Sequence, residues 1–432
     1  MSFQFTPDQQ KAITGICNTL LKPTAFKYSV ITVLTGAAGT GKTTVIGEII
    51  KQINKLNMHM PISLCATTHR AATVLENIVN TTVYTGHALF KLRPSVTKWG
   101  KQTLKRVGIC EIPFDSIVIL DEASMIGNKF LEAIVDIVKH RNLKLLFVGD
   151  PFQLPPPTDK CSIFDGSLTT FTLTQVHRQL GGNPVLEKAT EFREYIEGVR
   201  NIEPTLETDI NFKGEGIHVL PHAKFITKFV EKYIDYTTGA EVDIPLCTYT
   251  NESAINYNSM IRKATYFLED TIQPFYRGER LFANSAVMEG DKTILTNNET
   301  VHVIDYMESE QYDMPGYVIS LQGDYNKYTK SNKKKVFSPK SKAIADKVLQ
   351  RHKNIALKHN TAENWRNFYK IKNVLADLRP PFAGTTHKAQ GGTFPAVFID
   401  RVNLNKCRDR ATRARLFYVA LTRASQNVYI NS

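Results

Sequence analysis

The feature that most restricts how this chain can fold is the octapeptide GAAGTGKT, Gly36 to Thr43, placed directly behind the apolar run Ser29 to Leu34. The string satisfies G-x-x-x-x-G-K-[ST] and the run before it is rich in β-branched residues, so strand, loop and helix are expected in that order. Glycines are needed because a loop that wraps its N–H groups around phosphate oxygens leaves no room for Cβ atoms. The helix start that follows favours anions. Gly36, Ala37, Ala38, Gly39, Thr40, Gly41, Lys42, Thr43 and Thr44 are therefore the expected ATP cradle, with Lys42 on the terminal phosphates and Thr43 on Mg²⁺.

The first 180 residues alternate short β-rich runs with helical periodicity, the pattern of a parallel sheet covered by helices. Candidate strands are Ser29 to Leu34, Ile62 to Ala66, Ser116 to Leu120 and Lys144 to Val148. In this doubly wound order ligands meet the carboxyl ends of strands, and two further ends carry chemistry. ILDEAS, Ile119 to Ser124, delivers Asp121 and Glu122. Asp121 is expected to hold the metal through water, since Mg²⁺ keeps much of its hydration, and Glu122 to orient and deprotonate an attacking water. VGDPFQLPP, Val148 to Pro156, delivers Gln153, whose amide both donates and accepts and so can sense a γ-phosphate. Alone, an acidic pair can cap a helix and a proline-rich turn can simply end a strand; beside the glycine loop they read as one site.

Charge adds a class of partner. The formal net charge is +13, and it is concentrated: Gln322 to Lys372 holds 14 basic and 3 acidic residues, Lys91 to Cys110 holds 6 basic and none acidic, and the remainder is slightly acidic. A near-neutral body with two basic attachments suits a protein that follows a phosphate backbone, although a solvated helix face can carry the same charge. The apolar runs are far shorter than the roughly 20 residues a membrane span needs. MSFQFTPDQQK lacks the basic flank and apolar stretch of a secretory signal. The six cysteines are at least 45 residues apart, which excludes C-x-x-C spacing and points to reduced core thiols in a cytoplasmic setting.

Beyond Arg178 a second α/β block is expected: helix Ala223 to Ile234, strand Ile244 to Tyr249, helix Glu252 to Phe267, and a resumption near Phe382 ending with strand Val428 to Ile430. Between its halves, Thr300 to Ile304 and Tyr317 to Leu321 alternate as short strands joined by a loop containing Pro315 and Gly316, the pattern of a small antiparallel unit. A basic turn, Lys333 to Lys335, then leads to Ser338 as N-cap and Pro339 as first residue of a helix. Lys91 to Cys110, with Pro94 and Trp99, reads as a small protrusion of the first block.

These motifs together resemble the superfamily 1 helicases, in order and spacing the B-type group with its Dda-like phage members, and the likeness runs over nearly the whole chain. It implies an α/β fold of two RecA-like parallel-sheet P-loop core domains, with a small pin insertion in the first and an SH3-like β insertion in the second. The implied division is residues 1–180 for the first core, with the pin at 91–110, then 181–274 and 379–432 for the second core, and 275–378 for the β insertion with its basic helical extension. FTPDQQKAI, Phe5 to Ile13, is similar to the adenine-reading segment, through Gln9. ATTHRAA and YTGHALF resemble DNA-contacting motifs of the first core, which implies roles for Thr67, His69, Thr85 and His87. LTQVHRQ matches the segment that supplies Arg178, and YVALTRA the one that supplies Arg423 as a second arginine finger. TYTNESAINYNSMIRK and THKAQGGTF resemble motifs of the second core, implying DNA contacts from Thr250, Asn251, Thr386, His387 and Lys388, and nucleotide contacts from Gln390 and Gly391. Trp99 takes the place of a strand-separating wedge by position and aromaticity.

The resemblance further implies 5′-to-3′ movement on single-stranded DNA, unwinding of fork DNA in phage replication or recombination, action as a monomer, and a single-strand binding protein as a partner. An RNA helicase or RNA-stimulated NTPase of the same superfamily fits nearly as well, since no residue reports on a 2′-hydroxyl, and so does a translocase that displaces bound protein. A small-molecule kinase leaves VGDPFQLPP and the second block without purpose. A purely binding module has no need of so many intact catalytic residues.

Overall fold

In the computed structural model, which describes residues 4–22, 30–56, 60–96, 102–156, 159–175, 182–234, 246–265, 273–290, 292–323 and 333–432, the run before the glycine loop is the strand Ile31–Gly36 and the helix behind it is Lys42–Leu56. Gly39 and Gly41 take φ of +84° and +78°, which a residue with a Cβ adopts only under strain, so the tight loop needs both. Helix Pro7–Leu21 is fixed at its start by a reciprocal capping box: Thr6 Oγ1 accepts from the Gln9 amide while the Gln9 side chain accepts from the Thr6 N–H.

The first sheet has six parallel strands in the order Val83–Thr85, Ile62–Ala66, Ile117–Asp121, Lys144–Gly149, Ile31–Gly36 and Thr169–Leu173. All four expected strands are present, and the short outer two complete the sheet. Burial explains why the outermost was not legible: only Leu173 of Thr169–Leu173 is buried, so the stretch lacks the apolar run of a central strand. The second sheet, also six-stranded, runs Ala383–Thr385, Leu246–Thr248, Phe394–Ile399, Ala424–Asn431, Gly216–Leu220 and Asp209–Ile210, with the last strand antiparallel. Apolar clusters around Ile13, Ile46 and Leu146 on one face, and Phe90, Phe130 and Phe147 on the other, cover the first sheet. Those around Phe417 and Val428, and around Phe225 and Phe398, cover the second.

The antiparallel unit differs from expectation in detail. Its strands are Thr300–Gln311 and Met314–Gly323, much longer than the expected pair, and the turn between them is Tyr312 and Asp313, both at positive φ (+57° and +56°). Pro315 and Gly316 therefore lie within a strand, and the reversal is set by a two-residue turn whose twist matches that of the flanking strands. Lys333 to Lys335 are not a turn but the start of strand Lys333–Pro339, and the helix cap is Ser341, with helix Lys342–His359 after it. Together with Arg280–Ala283 and Leu378–Arg379 these strands form a five-stranded sheet. The basic segment of the first block is a hairpin, Leu92–Val96 against Gln102–Arg106; its tip, with Trp99, lies outside the described residues, as does Arg178. Among the described residues no helix is long and apolar enough to cross a membrane.

Candidate functional site

The strand order places three chemical elements side by side, because Ile31–Gly36 neighbours Lys144–Gly149, which neighbours Ile117–Asp121. Their carboxyl ends carry the glycine loop, the Gly149–Gln153 turn and the Asp121–Glu122 pair. Lys42 folds back over its own loop, donating to the carbonyls of Gly36 (2.8 Å) and Ala37 (3.0 Å), and the Thr40 hydroxyl donates to Ala37 as well. Thr43 and Thr44 follow in the first turn of the helix.

Burial and the neighbouring Glu122 carboxylate push the Asp121 carboxyl up to about 7, against the opposing pull of the Glu122 amide and the Lys42 ammonium. Glu122 sits at φ +54°, a left-handed conformation that costs energy for a side-chain-bearing residue and is concentrated at functional sites. Its Oε2 is buried with no hydrogen-bond partner, as is Ser124 Oγ beside it. Two crowded carboxyls, one oxygen of them unpartnered, suit a hydrated divalent cation that takes few protein ligands. No cluster of three or more metal-binding side chains occurs among the described residues. Thr67, expected on the nucleic acid, instead ties its strand to this pair by donating its hydroxyl to the Glu122 carbonyl (3.3 Å).

The second sheet approaches this site through the helix Arg410–Thr422 and the loop before Phe394. Tyr418 donates its hydroxyl to Asp150 Oδ2 (2.5 Å) and accepts from the Ala38 N–H of the glycine loop (3.4 Å). Burial and the Asp150 carboxylate raise the phenol well above its ordinary value, which keeps it a donor. One helical turn earlier, Arg415 donates to the carbonyls of Pro151 (2.6 Å) and Gln153 (2.9 Å). Gln390 Nε2 donates to the Leu154 carbonyl (3.2 Å) and Gln153 Oε1 (3.4 Å), leaving its own Oε1 buried and unpartnered. Leu154 is buried within the apolar cluster of the second sheet. Gly391, at φ +81°, lies so close to helix His69–Val79 that an added Cβ would stand 3.2 Å from Thr68 Oγ1.

Several expected residues are placed differently from their expected roles. The Arg423 guanidinium is buried within its own unit, donating to the Gly392 carbonyl (3.0 Å) and the Val419 carbonyl (3.3 Å), so the side chain of this helix that touches the glycine loop is Tyr418. The Gln9 amide is buried and donates to the Thr40 carbonyl (3.0 Å), bracing the loop from behind. Thr386 is fully buried with its hydroxyl on the Thr248 carbonyl, so it supports the strand and cannot meet a nucleic acid. Thr85 and Thr250 cap helices, through Ala88 and Ser253. Asn251 accepts from Arg379 (2.9 Å). His69 and His87 are exposed, and His87 stands edge-on to Phe130. Burial favours the neutral form of His387. Lys388 reaches into the antiparallel unit, where Nζ donates to the Asn284 carbonyl (2.5 Å); burial pushes its ammonium down to about 8. Tyr418 and Arg415 lie within or beside the quoted YVALTRA motif, and their three-residue spacing on a helix was the available signal of a shared face.

Residues 5–198 match the AAA domain family and residues 381–431 the UvrD-like helicase C-terminal domain. The ATP-dependent DNA helicase dda of Enterobacteria phage T4 is 22% identical over 460 residues, covering 99% of this chain and 100% of that protein. The RecBCD enzyme subunit RecD of Buchnera aphidicola is 31% identical over 271 residues, covering 57% of this chain and 43% of that one. Among solved structures, Pif1 helicase from Candida albicans aligns over 100% of this chain and 95% of its own at 14% identity, with a TM-score of 0.42.

Proposed function

We propose that this chain, which belongs to the B-type group of superfamily 1 helicases, uses ATP hydrolysis to move 5′-to-3′ along single-stranded DNA and to separate duplex strands. The observation that carries the reading is the convergence of the glycine loop, the Asp121–Glu122 pair and the Gln153 turn at one strand edge, with Tyr418, Arg415 and Gln390 of the second sheet bonded to the same elements.

Each group then has a task. Lys42 leaves its loop carbonyls for the terminal phosphates, and the loop amides, Ala38 included, turn to phosphate oxygens. Mg²⁺, held by Thr43 and Asp121, would supply positive charge at the γ-phosphate. Glu122 accepts the proton of the attacking water, and Gln153 orients that water. Arg178 and Arg423 act as fingers when the two units close; for Arg423 this requires exchange of its bonds to Gly392 and Val419. Such fingers are worth about 10³–10⁵ in rate. Closure is thereby a chemical switch, and a strand held alternately by His69, His87 and His387 would advance with it; a grip from Lys388 requires exchange of its bond to the Asn284 carbonyl. We assign the hairpin at 91–110 to strand separation and 275–378 to an SH3-like insertion. The expected setting is the host cytoplasm during phage DNA replication, as a monomer alongside a single-strand binding protein.

The test is ATP hydrolysis with Mg²⁺ alone, with single-stranded DNA and with single-stranded RNA. Stimulation by DNA is the expected result, and Lys42→Ala is expected to lower turnover by at least about a hundredfold while leaving DNA binding in place. Full activity in that variant, or greater stimulation by RNA, would overturn the assignment.

A further inference from the structure

Outside the cleft, a concentration of positive charge lies on the helical hairpin Lys342–His359 and Ala362–Val374. Its base packs on the antiparallel sheet through Val348, Ile371 and Leu375 against Met314 and Phe337, and towards its tip a separate apolar cluster of Ala356, Trp365 and Phe368 holds the helices together. The turn is built as well: Asn360 is left-handed and accepts from Trp365 Nε1 (3.1 Å), and Thr361 caps the second helix. The three large aromatic side chains of this arm, Trp365, Phe368 and Tyr369, pack against one another.

The charge is arranged in rows. Lys342 and Lys353, and likewise Lys347 and Lys358, are eleven residues apart, which returns to nearly the same helical direction about 16 Å further along. Arg366 and Lys370 follow each other by one turn on the second helix. All six are exposed, and no ion pair within 4.0 Å involves any of them among the described residues, whereas Arg351 between them is paired with Asp313. Only Asp346 and Glu363 offset them within the two helices.

We propose that this hairpin is a docking surface for the phosphate backbone of duplex DNA, distinct from the single-strand path; the duplex assignment rests on the motor reading above, which supplies a forked substrate. The chemistry favours a duplex. Single strands are held by exposed aromatic side chains on which bases stack, and the hairpin turns its tryptophan and phenylalanine inward. A row of about 16 Å matches about five phosphates of one strand of a duplex, counted along its axis. Contacts of this kind are sequence-independent and carry a steep salt dependence.

The experiment compares the full chain with a variant bearing Lys347→Gln, Lys353→Gln, Lys358→Gln, Arg366→Gln and Lys370→Gln, all exposed positions where glutamine keeps helix propensity. Binding to a blunt duplex and to a single strand of the same length is measured over a range of salt, with circular dichroism to show that the helices are retained. The expected result is a loss of duplex affinity of about tenfold or more at low salt, a salt slope reduced by about 0.9 for each lost phosphate contact, and unchanged single-strand affinity and single-strand-stimulated hydrolysis. Unchanged duplex binding would overturn the proposal, and so would an equal loss on single strands, which would make the hairpin part of the strand path. If the unmodified chain shows no DNA-stimulated hydrolysis, the motor reading fails, while a selective duplex defect would still support the surface.

Discussion

At the residue scale, Tyr418 links the two halves of the site with one hydroxyl. It accepts from the Ala38 amide, to which the proposed function gives a phosphate oxygen, and it satisfies Asp150, which also accepts from the Phe152 N–H (2.9 Å) and so shapes the turn that carries Gln153. Tyr418→Phe frees the amide and leaves a buried carboxylate oxygen without its donor. Equilibrium binding of a fluorescent ATP analogue is expected to tighten by about two- to tenfold, the worth of one hydrogen bond, while DNA-stimulated kcat falls. Weaker or unchanged binding would show that the hydroxyl does not compete with nucleotide. Much of this site was legible as sequence because the glycine loop and the acidic pair depend on local strings. Tyr418 was not, because its partners lie 268 and 380 residues away; its spacing from Arg415 marks a shared helix face but not what that face meets.

At the scale of elements, the start of the first helix, capped by Thr6 and Gln9, is tied to the sheet by Asp8. Asp8 accepts from the amides of Thr174 (2.8 Å) and Gln175 (3.1 Å) at the end of strand Thr169–Leu173, and from Thr6 and the Gln9 amide at its own end. Burial opposes its charge, but the bonds from Thr6, Thr174, Gln175 and Gln9 outweigh it and hold the carboxyl down at about 2. Because the folded value lies below the ordinary one, this stabilisation is fully present above about pH 4 and is lost as pH falls through about 2. Asp8→Asn is expected to lower the melting temperature at pH 7, with the gap between variant and parent closing towards pH 2; a gap independent of pH would mean that the carboxylate charge is not what staples the helix. Elements were legible where apolar runs or helical periods were long, as in Lys144–Gly149. Reading failed where two rules compete: Pro315 and Gly316 carry turn chemistry, yet Tyr312 and Asp313 take the positive φ, and a cap at Ser338 lost to one at Ser341 because sheet pairing extends to Pro339.

At the scale of the molecule, the loop Asp150–Leu154 belongs to the first sheet by sequence and to the second by packing. Leu154 is buried in the second unit's apolar cluster, and Arg415 and Gln390 hold the backbone around it. Any nucleotide that moves Gln153 must therefore move the second unit, which gives hydrolysis a direct route to relative motion of the two sheets. The antiparallel unit is joined to the same motion through Lys388, which donates into it from the loop that also carries Gln390 and Gly391. The two-core architecture was legible from alternating strand and helix patterns, whereas these joints were not, being made by side chains far apart in sequence. The most direct test of the account is ATP-dependent strand displacement from duplexes bearing a 5′ or a 3′ single-stranded overhang. The account predicts displacement from the 5′ overhang, none from the 3′ overhang, and none from either with Lys42→Ala. Displacement only from the 3′ overhang, or hydrolysis of ATP with no displacement from either, would contradict it.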